Sequence, residues 1–189
     1  MVPPAEGQEL TDIELIEQAQ RGDVAAFEEL VRRHEQVAFR TALLVCGDAE
    51  TARDAAQEGF IRAWRALPRF RPGSEPRPWL LRIVANSARN RQRTDRRQAA
   101  LGLRLAPDAS STDPAVSPEA SAVAEERRRA LLLAIERLRR EDRIVIGLRW
   151  FVGLDEAELA SALGVARGTV KSRLSRAMAR LRNELGTDV

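Results

Sequence analysis

The C-terminal third of the chain constrains its fold most strongly, because it contains two predicted helices joined by a very short turn. Asp155 and Glu158 have the spacing of a capping box, so a helix is predicted to begin there. Gly164 is predicted to end it, since glycine readily adopts the left-handed conformation. A second helix follows from about residue 167, and its apolar side chains share one face: Val170, Leu174, Met178, Leu181 and Leu185. This arrangement is a helix-turn-helix.

The polar face of that second helix indicates DNA binding. Small side chains at its start allow a helix to enter a major groove, where hydroxyls and guanidiniums reach phosphates and base edges. An ordinary amphipathic helix with a solvated basic face is the alternative, and the combined turn and cap spacing favours DNA. The polar face carries Thr169, Ser172, Ser175 and Arg176, flanked by Lys171 and Arg173.

The charges of the chain are distributed unevenly along it. The formal net charge is only +3, but residues 1–61 carry 5 basic and 13 acidic side chains, whereas residues 62–104 carry 12 basic and 2 acidic ones. An acidic segment beside a strongly basic one indicates two different partners, one of them polyanionic.

A predicted fourth helix, beginning near Pro78, carries a row of arginines. They recur every three or four residues and therefore share one side of the helix. Such faces usually interleave acids, but Asp95 is the only one here, so a nucleic acid lying along the row is favoured over a merely solvated face. The polar positions are Arg82, Asn86, Arg89, Arg93 and Arg96.

The pattern along the whole chain predicts an all-α protein of two small helical domains joined by a flexible linker. Residues 99–117 are rich in Ala, Ser and Pro and contain no aromatic residue, which is typical of a tether. This divides the chain into an N-terminal domain at 1–98, the linker at 99–117, and a C-terminal domain with the helix-turn-helix at 118–189.

The composition argues against catalysis. His34 is the only histidine and is expected to be exposed, so neither a histidine triad nor a histidine cluster for a metal can form. The single cysteine, Cys46, excludes an internal disulfide and a cysteine-rich zinc site. No glycine-rich phosphate motif and no apolar run of about 20 residues is present. The expectation is a cytoplasmic protein without membrane insertion, enzymatic activity, metal or cofactor.

Four stretches together resemble the extracytoplasmic-function group of the sigma-70 family, the promoter-recognition subunits of bacterial RNA polymerase. They are residues 12–34, 54–71, 79–93 and 164–182, in family order. The resemblance implies a sigma-2 and a sigma-4 domain, a role in promoter-specific initiation without catalytic residues, and three partners. These are core RNA polymerase, promoter DNA and an inhibitory anti-sigma factor.

The resemblance also assigns roles to positions. The residues that match the clamp-docking helix are Asp54, Gln57 and Glu58. Those that match the minus-ten element contact are Arg82, Asn86, Arg89 and Arg93. Residues 68–78 match the loop that captures an unstacked base, where Phe70 is the preferred stacking ring because base–aromatic stacking contributes about 1–3 kcal/mol. The matches to the minus-thirty-five contact are Arg167, Thr169, Lys171, Ser172, Arg173 and Arg176.

Two positions depart from the family pattern. Arg53 stands where an acid is usual, which is expected to alter clamp docking, and Ala166 stands where a proline is common, which is expected to loosen the turn.

Two alternatives from other functional classes also use the helix-turn-helix or the arginine row. One is a stand-alone helix-turn-helix regulator, which would need a dimer surface to bind a palindrome. The other is an RNA-binding antiterminator that uses the arginine row.

Overall fold

The computed structural model describes residues 10–100 and 122–186, in which helices are joined by short turns and loops and no strand is present. The predicted all-α fold of two helical domains is confirmed. Residues 1–9 and nearly all of the predicted linker at 99–117 lie outside the described residues. The α-helices are α1 Asp12–Gln20, α2 Val24–Cys46, α3 Ala49–Ala66, α4 Pro76–Ala100, α5 Ala122–Arg137, α6 Arg140–Ile146, α7 Glu156–Leu163 and α8 Arg167–Gly186.

Capping residues set the helix boundaries as their spacing predicts. At α1, the Thr11 amide donates to the Glu14 carboxylate at 2.7 Å, and the Thr11 hydroxyl accepts from the Glu14 amide at 3.3 Å. The same reciprocal pair forms at α7 between Asp155 and Glu158, with distances of 2.9 and 2.8 Å. Gly164 ends α7 with φ at +67°, where side chains with a Cβ are strained. These helix ends therefore follow from local chemistry alone.

The N-terminal domain, α1–α4, is built around α2, α3 and α4, which pack against one another. A short 3-10 turn, Leu67–Arg69, leads from α3 into the loop before α4. The closest approach is at Gly59 of α3, where an added Cβ would lie 2.8 Å from Cγ2 of Val84 on α4. Only glycine allows the two helices to pack this closely.

His34 is buried, so the expectation that it is exposed is wrong. The residue is 7 % exposed, and its Nε2 lies 2.5 Å from Oδ2 of Asp12. Arg33 also donates to Asp12 and to the Leu10 carbonyl. The reason is tertiary: α1 packs across α2 and covers a position whose sequence neighbours are charged.

The C-terminal domain, α5–α8, has its own apolar core. A turn of π-helix, Gly147–Phe151, joins α6 to the segment before α7. The Arg180 guanidinium of α8 lies 2.5 Å from the buried Asp142 carboxylate of α6, which ties these two helices together. The buried core side chains include Ala134, Leu138, Val145, Leu148, Leu154, Leu159, Val170, Ala177 and Leu181.

The two domains pack against each other, a feature that the sequence did not predict. The main contact is between α4 and α7. Leu81 of α4 is buried in the same apolar cluster as the core of the C-terminal domain, and Val37 and Leu44 of α2 pack against that cluster. A predicted tether between independent domains gave no reason to expect a shared core.

Candidate protein-docking and nucleic-acid surfaces

An open apolar groove of about 690 Å³ lies between α2 and α3. Six of its lining side chains are large and apolar, and polar side chains of both signs complete it. The apolar members are Phe27, Val31, Phe39, Phe60, Ile61 and Trp64, and the polar members are Glu35, Gln36, Arg53 and Gln57. An apolar floor with a polar rim is the usual composition of a protein-docking site.

The three predicted docking residues lie together on α3 beside this groove. Gln57 lines both the groove and a polar cleft between α3 and α4, and Asp54 and Glu58 line that cleft. Asp54 pairs with Arg91 at 3.0 Å, and Glu58 pairs with Arg62 at 2.7 Å. Both pairs are substantially exposed, so a partner's cations can compete for these carboxylates at little cost.

Two residues of this surface were not singled out from the sequence as docking residues. Ile61 and Trp64 are 41 % and 37 % exposed, and Trp64 packs its ring 5.0 Å from that of Phe27. Their spacing from Gln57, four and seven residues, places all three on one face of α3. That spacing could have indicated a docking face from the sequence, but it is equally typical of a helix face that packs into the core.

Arg53, the position that departs from the family pattern, also lines the groove. Its guanidinium carbon lies 5.8 Å from the centroid of the Phe39 ring. A cation–π contact of this kind contributes roughly 0.5–1 kcal/mol at an exposed site. Arg53 therefore places a positive charge beside the predicted docking residues, two of which are acids.

The predicted minus-ten residues share one side of α4, but their environments differ. Arg82, Asn86 and Arg93 are exposed, whereas Arg89 is half-buried. The Arg89 guanidinium donates to Oδ1 of Asn86 at 2.6 Å and to the Ala162 carbonyl of α7 at 2.9 Å.

The electrostatic setting of Arg89 is unfavourable. Burial lowers the pKa of the Arg89 guanidinium, and the nearby positive charges of Arg93, Arg140 and Arg173 lower it further. Cations from both domains thus approach one another where α4 meets the C-terminal domain. A polyanion placed there would relieve this repulsion.

Phe70 is a core residue, so the expectation that it presents a free ring for base stacking is wrong. It is 8 % exposed and packs edge-to-face on Trp79, with centroids 5.0 Å apart. The Gln20 side chain donates to the Phe70 carbonyl at 3.3 Å and to the Leu67 carbonyl at 2.8 Å, which fixes the start of the loop. The ring fills an apolar space beneath α1 that the loop sequence alone does not reveal. Arg69 and Arg71 are the exposed cations of this loop.

The predicted minus-thirty-five residues occupy the first three turns of α8. Arg167, Lys171, Ser172 and Arg176 are exposed, and Thr169 and Arg173 are half-buried. The Ser172 hydroxyl donates to the Thr169 carbonyl at 3.0 Å, which leaves its oxygen lone pairs available as acceptors.

The turn before α8 closes without a proline at Ala166. The Ala166 carbonyl accepts from the amides of Thr169, at 2.9 Å, and Val170, at 3.2 Å. The first turn of α8 therefore forms as an ordinary helical turn without the proline that is common at this position.

Nothing in the described part of the chain resembles a metal or redox centre. Residues 10–100 and 122–186 contain no group of three or more His, Cys, Asp or Glu placed to hold a metal ion. Burial, with a smaller contribution from the Asp48 carboxylate, raises the pKa of the Cys46 thiol to about 12.

Within residues 10–100 and 122–186, no helix has the length and apolarity needed to cross a bilayer.

Comparison with known proteins agrees with this geometry. Residues 30–98 match the family Sigma-70 region 2, and residues 128–181 match Sigma-70 region 4. The chain is 35 % identical to RNA polymerase sigma-H factor of Pseudomonas aeruginosa, over 88 % of this chain and 89 % of that protein. It is 33 % identical to ECF RNA polymerase sigma-E factor of Escherichia coli, over 94 % and 96 %.

Solved structures show the same similarity. CnrH in complex with the cytosolic domain of CnrY superposes with a TM-score of 0.66 at 28 % identity, covering 94 % of this chain and 99 % of that one. The sigma factor RpoE of Bartonella quintana, in complex with the anti-sigma factor NepR, gives a TM-score of 0.60 at 26 % identity, covering 86 % and 99 %. With both sigma-70 regions matched and full-length relatives above 30 % identity, the chain belongs to the extracytoplasmic-function group of the sigma-70 family of RNA polymerase sigma factors.

Proposed function

We propose that this sigma factor binds core RNA polymerase through the α2–α3 groove and directs it to promoters through α4 and α8. The observation that carries the proposal is the separation of these surfaces on one chain. The apolar groove lies beside two exposed carboxylates, whereas both candidate DNA-binding helices present arginines to solvent. A docking surface and two polyanion-binding surfaces are what promoter-specific recruitment requires.

Docking is centred on Gln57, Ile61 and Trp64, with Asp54 and Glu58 at the edge. Binding energy in protein interfaces concentrates in a few buried aromatic and large apolar side chains, and Trp64 is the exposed aromatic of this groove. The two carboxylates fit a partner element that carries basic side chains around an apolar centre. By the family resemblance, the part of the polymerase that binds this surface is the clamp.

Promoter recognition is divided between the two domains. Arg82, Asn86, Arg89 and Arg93 of α4 contact the minus-ten element, and the exposed Arg69 and Arg71 contact phosphates of the opened strand. Recognition of the minus-thirty-five element falls to α8, through Arg167, Thr169, Lys171, Ser172, Arg173 and Arg176. The polymerase supplies the chemistry, so the chain needs no catalytic residue or cofactor and acts in the cytoplasm.

An anti-sigma factor is the third proposed partner. The Bartonella RpoE structure is described as a complex with an anti-sigma factor, and CnrH as a complex with a cytosolic domain of CnrY. We propose that an inhibitor of this kind covers the promoter-binding surfaces of this chain. Full transcription at a saturating concentration of the candidate inhibitor would contradict this part of the proposal.

Run-off transcription with core polymerase on a promoter library tests the function. Ile61→Glu places a charge in the groove and is expected to abolish co-purification with core polymerase. Ile13→Glu is the matched control, because Ile13 is also an exposed isoleucine of the N-terminal domain but does not line the groove. A chain that binds a palindromic site without polymerase would instead be a stand-alone regulator.

A further inference from the structure

The loop before α4 holds two exposed cations on either side of a buried ring. Phe70 is 8 % exposed, whereas Arg69 and Arg71 are open to solvent. The backbone at Phe70 is extended, with φ at −66° and ψ at 127°, and neighbouring side chains of extended backbone point to opposite sides. Whatever fixes the Phe70 backbone therefore also decides where the two guanidiniums are presented.

The Gln20 side chain, at the end of α1, fixes this backbone. Its Nε2 donates to the Leu67 carbonyl at 2.8 Å and to the Phe70 carbonyl at 3.3 Å. The Phe70 amide in turn donates to the Leu67 carbonyl at 2.9 Å, which closes the 3-10 turn. One side-chain amide, 47 and 50 residues earlier in the chain, thus joins both ends of the turn.

The opposite end of α1 is fixed to α2. The Asp12 carboxylate lies 2.5 Å from Nε2 of His34 and 3.3 Å from Nη1 of Arg33. Between the two ends, Leu15 and Ile16 are buried in the apolar cluster that also contains the buried side chains of the loop. Helix α1 is therefore a support that contacts α2 at one end and the loop at the other.

The prolines of the loop limit its freedom beyond Phe70. Each proline fixes its own φ, so fewer independent rotations separate Phe70 from the start of α4. The Ser74 amide also donates to the Arg71 carbonyl at 3.1 Å, which forms a second turn. An orientation that Gln20 imposes at Phe70 therefore extends to Arg71. The prolines are Pro68, Pro72, Pro76 and Pro78.

The fold of the N-terminal domain does not depend on Gln20 to the same degree. Gln20 is exposed, whereas the Leu67 and Phe70 side chains are held in the core by apolar packing. The net contribution of a neutral hydrogen bond to stability is small compared with that of a buried ring. Loss of the Gln20 amide is therefore expected to loosen the loop without unfolding the domain.

We propose that Gln20 is a positioning residue for strand opening: through the Leu67 and Phe70 carbonyls it holds Arg69 and Arg71 where they meet the phosphates of the opened strand. This inference rests on the proposed function, which assigns these two arginines to that strand. It adds a role in strand opening for α1, a helix that carries none of the proposed DNA contacts.

Two substitutions remove the donor while keeping the size of the side chain. Gln20→Met has a similar length and no N–H group, and Gln20→Glu keeps the shape but replaces the amide with a carboxylate that cannot donate when ionised. Gln18→Met is the matched control, because it makes the identical change on the same helix. The Gln18 side chain is half-buried, and the loop carbonyls are bonded by Gln20 instead.

Amide hydrogen exchange of the full chain, followed by NMR, reports the order of the loop without polymerase. The probes are the amides of Phe70 and Ser74, which close the two turns of the loop. Gln20→Met is expected to speed exchange at both about threefold to tenfold, since the loss of one ordinary hydrogen bond changes an equilibrium by about that factor. The melting temperature and the exchange of amides in α2 and α3 should stay at the wild-type values, and Gln18→Met should match the wild type throughout.

Transcription by the holoenzyme separates positioning from general structural support. Both Gln20 variants are expected to bind core polymerase normally but to initiate about threefold to tenfold less often on a duplex promoter, with fewer permanganate-reactive thymines. On the same promoter with a pre-melted bubble, activity should return to within about twofold of the wild type, because the bases are already unstacked. A residue that merely supported the fold would lower activity on both templates and weaken polymerase binding.

The proposal is overturned if the Phe70 and Ser74 amides of Gln20→Met exchange at wild-type rates, or if they exchange faster while initiation on the duplex promoter is unchanged. It is also overturned if the bubble template does not restore activity, or if Gln18→Met shows the same defect. Failure of the proposed function gives a different result. The wild type would then direct no initiation on either template, and the inference would fall with it even if the loop amides respond to Gln20→Met.

Discussion

Arg77 and Glu158 join the two domains through a carboxylate that also caps a helix. Oε1 of Glu158 lies 3.3 Å from Nη1 of Arg77, while Oε2 accepts from the Asp155 amide at 2.9 Å. One side chain thus contacts both the start of α7 and the first turn of α4.

Substitutions at Glu158 are expected to separate these two roles. Glu158→Gln keeps an oxygen for the cap but loses the charge, so it should lower the free energy of unfolding by no more than about 1 kcal/mol. Glu158→Ala also removes the bond that the Glu158 side chain accepts from the Asp155 amide, and should cost about 0.5–1.5 kcal/mol more, as the loss of one hydrogen bond does. Urea unfolding of both variants measures the difference, and equal values for the two would show that this bond contributes nothing.

Phe70→Ala is expected to destabilise the N-terminal domain by about 3–5 kcal/mol, because it leaves a cavity beside Trp79 in a packed core. Thermal and urea unfolding measure this loss. Arg71→Ala, in the same loop but exposed, should leave stability within about 0.5 kcal/mol of the wild type. A stable Phe70→Ala variant that fails only in strand opening would restore the base-stacking role.

Trp64→Ala is expected to weaken binding to core polymerase by about 2 kcal/mol, or roughly thirtyfold, as the loss of an interface hot spot does. The fold should be retained, because this ring is partly exposed. Fluorescence-detected titration with core polymerase measures the affinity. An unchanged affinity would remove the groove from the docking surface.

Arg176→Ala is expected to relax sequence preference at one position of the upstream element, since a bidentate arginine contact to a base contributes about 1–3 kcal/mol of discrimination. Lys171→Ala should instead weaken all sequences similarly and reduce the salt dependence of binding, as loss of a phosphate contact does. Selection of bound sequences from a random pool distinguishes the two. Identical profiles for Arg176→Ala and the wild type would contradict the base contact.

Cys46 predicts a specific dependence of stability on pH. Folding raises the pKa of its thiol from 9.0 to about 12, so the unfolded chain loses this proton first as pH rises. The stability that the protonated thiol contributes is therefore complete below pH 9 and declines between about pH 9 and 12. Relative to Cys46→Ala, the wild type should lose stability more steeply in that range, and its thiol should resist alkylation at pH 8. Rapid alkylation of the folded protein would show that the thiol is accessible.

The sequence predicted the parts of this fold that depend on neighbouring residues. Thr11 with Glu14 and Asp155 with Glu158 mark helix starts because both partners lie within one turn, and Gly164 marks an end for the same local reason. The helix-turn-helix follows from such spacing, whereas the selection of Asp54, Gln57 and Glu58 follows from the family resemblance.

What the sequence did not predict depends on contacts between distant residues. Burial of His34 requires α1 to cross α2, and burial of Phe70 requires the loop to fold beneath α1. The hydrogen bond from Arg89 requires the carbonyl of Ala162, which is 73 residues further along the chain. Helical spacing gives the face on which a side chain lies but not the element that covers this face.

The close contact of Gly59 with Val84 has a mechanical consequence. Because only the Val84 side chain lies between α3 and α4 at that point, a larger residue at position 59 would push the two helices apart. That shift would change the distance between the apolar groove, which α3 lines, and the arginine row on α4 without altering a residue of either surface.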